Sequence, residues 1–312
     1  MTNRKGVVTK STGSFYKVED LESKEIIDCR IKGKFRIGGL KSTNPIAVGD
    51  FVDYEFDKDG TGNINSIDER KNYIIRKSIN LSKQIHILAA NLDQAVVVVT
   101  LAYPKTSTGF IDRFLITCEA YQIPAVIVFN KIDLYTDEGM EYLQKLRNIY
   151  EKLGYKVLEV SATEEINLDA FNDLLKDKTS LISGHSGVGK SSLVNAISPG
   201  LDLRVGEISE MHQKGKHTTT FAEMFELENG GKIIDTPGIR EFSVVGFEKE
   251  DLAHYFPEIF EKSTDCKFNS CLHINEPHCA VQAAVENGEI SQSRYYNYIS
   301  LINSDELNPK KY

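Results

Sequence analysis

Apolar residues along this chain repeat with two different periods, and the switch between them marks out its elements. Gln94-Ala95-Val96-Val97-Val98-Val99-Thr100-Leu101 is a continuous β-branched run without a polar face, the pattern of a strand buried on both sides of a parallel sheet. Phe110 to Tyr121 and Glu138 to Leu153 then carry apolar residues at helical spacing, alternating with the strand-like runs Ala125 to Phe129 and Lys156 to Val160. Thr179 to Ser183 followed by Ser192 to Ile197 repeats the strand and helix pair. Such alternation predicts a doubly wound α/β domain. Phe221 to Leu227 is expected as an antiparallel edge strand.

The flanking segments have other textures. From Gly6 to Asn72, short runs such as Gly6-Val7-Val8-Thr9 and Phe51-Val52-Asp53-Tyr54-Glu55-Phe56 are separated by turns at Gly13-Ser14, Gly38-Gly39, Pro45 and Asp59-Gly60. Several short strands in so small a segment predict a Greek-key β-barrel, with the OB-fold leading. After Phe247 the pattern becomes helical around the cysteine cluster, ending in a stretch from Ala280 to Asn303 that is expected as helix. The chain therefore divides into 1–75, a β-barrel; 76–245, an α/β domain; and 246–312, a mostly α-helical domain.

Charge sharpens this division. Residues 1–77 hold 15 Lys and Arg against 12 Asp and Glu, or +3, while the whole chain carries −8, leaving −11 for the remainder. Lys32, Lys34 and Arg36 occupy alternate positions around Phe35, so one strand face would gather three cations suited to a phosphate backbone. Two readings stay open for this segment: RNA contact, with aromatics stacking bases, or a solvated face whose Phe15, Tyr16 and Phe35 belong to the core. No apolar stretch approaches the ~18 residues of a membrane span and no signal peptide precedes the first strand, so a cytoplasmic protein without a membrane partner is expected.

The chemistry concentrates in two places. Thr179 to Ser183 runs into Gly184-His185-Ser186-Gly187-Val188-Gly189-Lys190-Ser191-Ser192, a G-x-x-x-x-G-K-S phosphate-binding loop between a strand and a helix. Its glycines let successive N–H groups turn toward phosphate oxygens, and the helix adds the positive end of its dipole. Lys190 is expected at the β- and γ-phosphates and the Ser191 hydroxyl on Mg²⁺.

About fifty residues earlier, Asn130-Lys131-Ile132-Asp133 closes a strand at its carboxyl end, where open α/β sheets bind ligands. Here the chain resembles the GTPases, whose Asn-Lys-x-Asp motif reads guanine. The resemblance implies that the Asp133 carboxylate accepts from guanine N1–H and N2–H₂, that Lys131 lies along the base plane, and that Asn130 ties the two loops together. Adenine lacks both donors and would leave Asp133 unpaired. Ser161-Ala162 looks like the short motif that meets guanine O6. Asp235-Thr236-Pro237-Gly238 is similar to the Asp-x-x-Gly motif, with Asp235 toward Mg²⁺ and the Gly238 amide sensing the γ-phosphate. In the polar stretch from Lys214 to Thr220, Thr219 is favoured over Thr218 to complete the Mg²⁺ shell. Base-reading motifs precede phosphate-handling ones, which is a circular permutation of the usual order.

The second constellation is Cys266, Cys271, His273 and Cys279. Three thiolates and one imidazole can close a tetrahedral shell around one structural Zn²⁺, with no position left open for catalysis. Unliganded thiols or a disulfide pair are the alternatives, and His278 competes with His273 less favourably because it adjoins Cys279. Cys29 and Cys118 stand alone and read as small buried hydrophobes.

Barrel, permuted GTPase and Cys/His knuckle together resemble the RsgA family, also called YjeQ or YloQ, and Lys216-His217-Thr218-Thr219-Thr220 narrows the match. The resemblance implies an enzyme that hydrolyses GTP to GDP when stimulated by the small (30S) ribosomal subunit, late in its maturation, with 16S rRNA touched through both flanking domains; a monomer is the default expectation, on which the sequence itself is silent. Ile239 stands where Ras-like proteins place the water-orienting glutamine. By the same resemblance His217 is the candidate catalytic group beside Lys190; RNA contact or loop packing is its alternative. Two other classes remain open: a P-loop ATPase or kinase with RNA-binding domains, and an RNA-binding protein whose nucleotide is structural.

Overall fold

The computed structural model describes residues 3–13, 15–31, 45–77, 85–201, 222–235 and 247–304. Its strands β1 (Arg4–Ser11), β2 (Tyr16–Asp20), β3 (Ile26–Ile31), β4 (Phe51–Phe56) and β5 (Gly62–Ile67) close on themselves in the order β1-β2-β3-β5-β4, with β4 returning to β1. All pairings are antiparallel except β3 with β5, and this is the OB-type barrel expected from the short alternating runs. Val8, Tyr16, Val18, Cys29, Val52, Tyr54 and Ile64 fill it. Tyr16 is thus core, whereas Phe15 is 61% exposed. The stripe of Lys32, Lys34 and Arg36 lies outside the described residues.

A two-stranded hairpin, β6 (Tyr73–Lys77) with β7 (Ile85–Ala90), leads from the barrel into the central sheet. The backbone of Ala90 donates to Val48 O at 2.9 Å and the Asn91 side chain to Gly49 O, also at 2.9 Å, so the connection lies against the barrel. The sequence reading did not contain this hairpin.

The central domain is a doubly wound sheet. Strands β8 (Gln94–Val99), β9 (Ala125–Phe129), β10 (Lys156–Glu159), β11 (Thr179–Ser183), β12 (Glu223–Glu226) and β13 (Lys232–Asp235) take the order β10-β9-β8-β11-β13-β12. Every pairing is parallel except β12 with β13. All six residues of β8 are buried, as its unbroken apolar run requires, and each of its valines contributes about 1.5–3 kcal/mol relative to exposure. Helices α1 (Thr108–Ala120), α2 (Asp137–Lys152), α3 (Leu168–Leu175) and α4 (Lys190–Ile197) flank the sheet. Side chains fix two of their starts: Ser107 Oγ accepts from Phe110 N and Thr136 Oγ1 from Gly139 N, each at 3.2 Å.

One expectation is overturned. Strand β12 is not an edge, because its free side receives barrel strand β1, with Lys10 opposite Glu223, and the two sheets run on as one of eleven strands. The Lys10 and Glu223 side chains are 2.7 Å apart, and Lys232 Nζ lies 2.8 Å from Glu19 Oε2, so two ion pairs flank the junction. Covering an edge removes its unpaired donors and acceptors, which a reading confined to one domain cannot foresee.

The C-terminal part contains a 3₁₀ helix at Lys249–Tyr255 and helices α5 (Pro257–Ser263), α6 (Ala280–Glu286) and α7 (Gln292–Ile302). The helical stretch expected over 280–303 is formed by two helices, separated around Gly288, whose φ of 74° lies in the left-handed region that ends helices. Leu252, Phe256, Ile259, Val281, Tyr298 and Leu301 form its core together with Ile116 of α1, which docks this domain on the central one. No helix among the described residues is long and apolar enough to cross a membrane.

Candidate nucleotide site and metal centre

The parallel strands deliver the Asn130–Asp133 tetrad and the glycine loop 184–191 to one end of the sheet. Asn130 follows β9 and the phosphate loop follows β11, with β8 between these two strands. Asn130 is 1% exposed; its Nδ2 donates to Val188 O at 2.8 Å and its Oδ1 accepts from Ala162 N at 3.3 Å. One amide thus joins the phosphate loop and the Ser161-Ala162 turn to its own tetrad. Lys131 has a left-handed backbone, φ 62°, and its Nζ donates to Gly187 O and to Tyr103 O, each at 2.7 Å. Asp133 sits in the short 3₁₀ helix Ile132–Leu134 and is exposed, its carboxylate open to a ligand. Segments separated by more than fifty residues in sequence therefore meet at one end of the sheet.

Glycine is required in the phosphate loop for both conformation and space. Gly184, Gly187 and Gly189 have φ of 141°, 83° and 96°. A Cβ on Gly184 would stand 2.2 Å from Val98 O, and one on Gly189 would stand 2.3 Å from Asn130 Nδ2. Lys190 Nζ donates to Gly184 O at 2.8 Å and His185 O at 2.9 Å, which holds the ammonium over the loop. Burial lowers its pKa to about 8, opposed by the neighbouring Asp235. Asp235, at the end of β13, is raised to about 7 by burial and by Glu223 against the pull of Lys190. A buried cation and carboxylate that both lose charge stabilisation are suited to a site completed by phosphate and a cation. Ser191 is buried at the start of α4, Ser192 is exposed beside it, and Ser186 and Gly187 face solvent. His185 stacks on Phe110, ring centroids 3.9 Å apart, and burial followed by Lys190 lowers its pKa. His217, Thr218, Thr219 and Gly238 lie outside the described residues.

Tyr135 escaped the sequence reading. Its hydroxyl donates to Asn130 O and accepts from Leu101 N, both at 2.8 Å, which pins the tetrad to the loop after β8. An aromatic two residues past the motif carries no distinctive pattern, so only geometry reveals it.

In the C-terminal domain, one ligand atom from each of Cys266, Cys271, His273 and Cys279 lies within 4.8 Å of the others, and this cluster can hold a metal ion. His273, not His278, completes it. The separations are 3.6 Å from Cys266 Sγ to His273 Nδ1, 3.4 Å from Cys279 Sγ to His273 Nδ1, 3.9 Å from Cys266 to Cys279 and 3.8 Å from Cys271 to Cys279. Glu276, also missed in the sequence, staples the turn: its carboxylate accepts from the backbone N–H groups of Leu272, Ile274 and Asn275 at 2.7, 2.8 and 3.0 Å. Cys29 and Cys118 are fully buried away from the cluster, and burial raises both thiol pKa values.

Similarity to known proteins follows the same layout. A family model described as the RsgA GTPase matches residues 67–245, and one described as the RsgA N-terminal domain matches residues 5–64. The small ribosomal subunit biogenesis GTPase RsgA of Flavobacterium johnsoniae is 53% identical over 96% of this chain and 93% of its own length. RsgA 2 of Bacteroides thetaiotaomicron is 54% identical over 97% of each. Among solved structures, YjeQ from Thermotoga maritima matches with a TM-score of 0.81 at 39% identity, covering 99% of this chain and all of that one. YloQ, titled a circularly permuted GTPase, matches with a TM-score of 0.76 at 35% identity over 100% of this chain and 97% of its own. With the inverted motif order brought together at one end of the sheet and both domain models matched along the chain, the protein is a GTP hydrolase that belongs to the RsgA GTPase family.

Proposed function

We propose that GTP is bound and hydrolysed in the crevice between Asn130–Asp133 and the phosphate loop, and that this turnover serves small (30S) ribosomal subunit biogenesis late in maturation. The observation that carries the reading is the pair of bonds from Asn130 Nδ2 to Val188 O and from Lys131 Nζ to Gly187 O, which bring base reader and phosphate grip together. The ribosomal role rests on the named activity of relatives more than 50% identical along nearly the whole chain.

In this reading Asp133 accepts from guanine, the Ala162 amide meets O6, and residues 184–192 surround the phosphates, with Lys190 neutralising charge that develops during transfer. Ser191, Asp235 and Thr219 hold Mg²⁺, the Gly238 amide senses the γ-phosphate, and His217 orients the attacking water. Cys266, Cys271, His273 and Cys279 hold one structural zinc. Their separations agree with tetrahedral edges of about 3.8 Å between thiolates and about 3.5 Å from thiolate to imidazole, as bonds of about 2.3 and 2.0 Å require. The protein acts as a cytoplasmic monomer in three domains, 1–75, 76–245 and 246–312.

Contact with 16S rRNA is assigned to the barrel. Residues 247–304 carry 4 Lys and Arg against 9 Asp and Glu, a poor match for phosphate. In the barrel, Arg4, Lys5, Lys10, Lys17, Lys24 and Arg30 each sit within ion-pair distance of a carboxylate, so their charge is already partly answered within the protein. The cations Lys32, Lys34 and Arg36, which alternate in the sequence around Phe35, are the ones assigned to RNA.

GTP turnover measured with and without purified small subunits tests the reading. Stimulation of the wild-type protein is expected, and His217→Ala should retain GTP binding but lose about a hundredfold or more of the stimulated rate. Unstimulated wild-type turnover rejects the ribosomal role; equal stimulation of both proteins rejects the role of His217.

A further inference from the structure

A guanine nucleotide seated as proposed must place its ribose between the base at Asp133 and the phosphates at residues 184–191. Those two loops meet at Lys131, whose Nζ donates to Gly187 O and to Tyr103 O, each at 2.7 Å. Tyr103 therefore stands at the seam where the sugar has to lie, although it belongs to none of the nucleotide-binding motifs.

Its main chain is fixed on several sides. Leu101 N donates to the Tyr135 hydroxyl at 2.8 Å, and that hydroxyl donates to Asn130 O at 2.8 Å. Thr106 N donates to Thr100 O at 2.8 Å while Thr100 N donates to Thr106 Oγ1 at 3.2 Å, closing the base of the loop. Pro104 packs on the phosphate loop, its Cδ 3.5 Å from where a Cβ on Gly187 would stand. The Tyr103 side chain, by contrast, is 82% exposed. Tyr150 and Tyr155 of the same domain are 1% and 7% exposed. A large exposed ring on a backbone bonded to Lys131 offers apolar area to a ligand at little cost in conformational entropy.

We propose that Tyr103 is a nucleotide-contacting residue whose ring packs against the ribose and closes that side of the site. The ring supplies the contact and the hydroxyl does not, because the aromatic face covers the apolar face of the sugar. The inference rests on the nucleotide site proposed above.

The chain contains no tryptophan, so Tyr103→Trp introduces a single fluorescent reporter. On titration with GDP its emission should change and saturate at the dissociation constant that calorimetry gives for the same variant. Tyr103→Ala should raise the GDP dissociation constant about threefold to tenfold, and Tyr103→Phe should restore it to the wild-type value. If the wild-type protein binds GDP while the introduced indole stays silent, or the alanine variant binds as tightly as wild type, the proposal is overturned. If the wild-type protein itself fails to bind GDP, the nucleotide site has been misassigned and the proposal falls with it.

Discussion

Arg294 of α7 donates through Nη1 to Asp112 Oδ1 of α1 at 2.8 Å, with the two side chains 1% and 0% exposed. Its Nε and Nη2 donate to the Glu258 carboxylate at 2.7 and 3.1 Å, while the Tyr150 hydroxyl and Asn297 Nδ2 also donate to Asp112. This buried node fastens the metal-binding domain to the helix that follows β8. Removing the cation alone would strand two carboxylates out of water. Arg294→Met should therefore destabilise the protein by about 3–5 kcal/mol in denaturant unfolding, and replacing Arg294, Asp112 and Glu258 together by apolar residues should cost less than the single change.

Gly189 gives a sharper test of the crevice. Alanine there meets Asn130 Nδ2 at 2.3 Å and must hold a φ of 96°. The clash pushes apart the glycine loop and the Asn130 tetrad, which are the two loops proposed to hold the phosphates and the base. Gly189→Ala should weaken GDP binding by more than about tenfold in calorimetry, since strain of this kind costs on the order of 1–3 kcal/mol, and secondary structure should be unchanged by circular dichroism.

His185 provides a pH dependence with a defined sign. Its folded pKa lies below 6.5, through burial first and Lys190 second. The unfolded chain therefore takes up a proton before the folded one. The stability it contributes is complete above pH 6.5 and drains away as pH falls through the folded value. Melting temperatures recorded from pH 8 to pH 5 should fall more for the wild-type protein than for His185→Asn; parallel curves would show that the imidazole carries no such linkage.

The Cys/His cluster that can hold a metal ion is tied to α7 by the Tyr295 hydroxyl, which donates to His273 O at 2.6 Å, and by the Tyr298 hydroxyl, which donates to Leu272 O at 3.1 Å. None of its four ligands belongs to the phosphate loop. Chelation should make the C-terminal helices melt separately and at lower temperature, followed by circular dichroism, with GDP affinity kept in calorimetry. Loss of affinity in step with the metal would contradict a purely structural centre.

What the sequence discloses is whatever depends on local pattern. The buried run of β8, the glycine turn at 184–189 and the spacing of Cys266, Cys271, His273 and Cys279 each announce their element, because one period or one short motif dictates it. Features made by distant partners were silent. Lys10 opposite Glu223 turns an expected edge into an interior strand, yet neither residue departs from an ordinary strand composition. Tyr135 and Glu276 act by bonding to backbone groups, and backbone groups carry no sequence signature. Gly288 did stand in the sequence as a helix breaker, but the apolar spacing on either side masked it.

In the proposed site the Asp133 carboxylate selects guanine while the phosphate loop, joined to it through Asn130 and Lys131, holds the phosphates of the same molecule. Calorimetric titration of GDP, ADP and xanthosine diphosphate into wild-type protein and Asp133→Asn tests it most directly. Wild type should bind GDP roughly a thousandfold or more tighter than ADP, since a site that hydrogen-bonds one base leaves buried groups unpaired with another. The amide of the variant should lose GDP and gain xanthosine diphosphate, whose C2 carbonyl accepts where guanine donates. Equal affinity of the wild-type protein for ADP, or undiminished GDP binding by the variant, would show that Asp133 does not read the base.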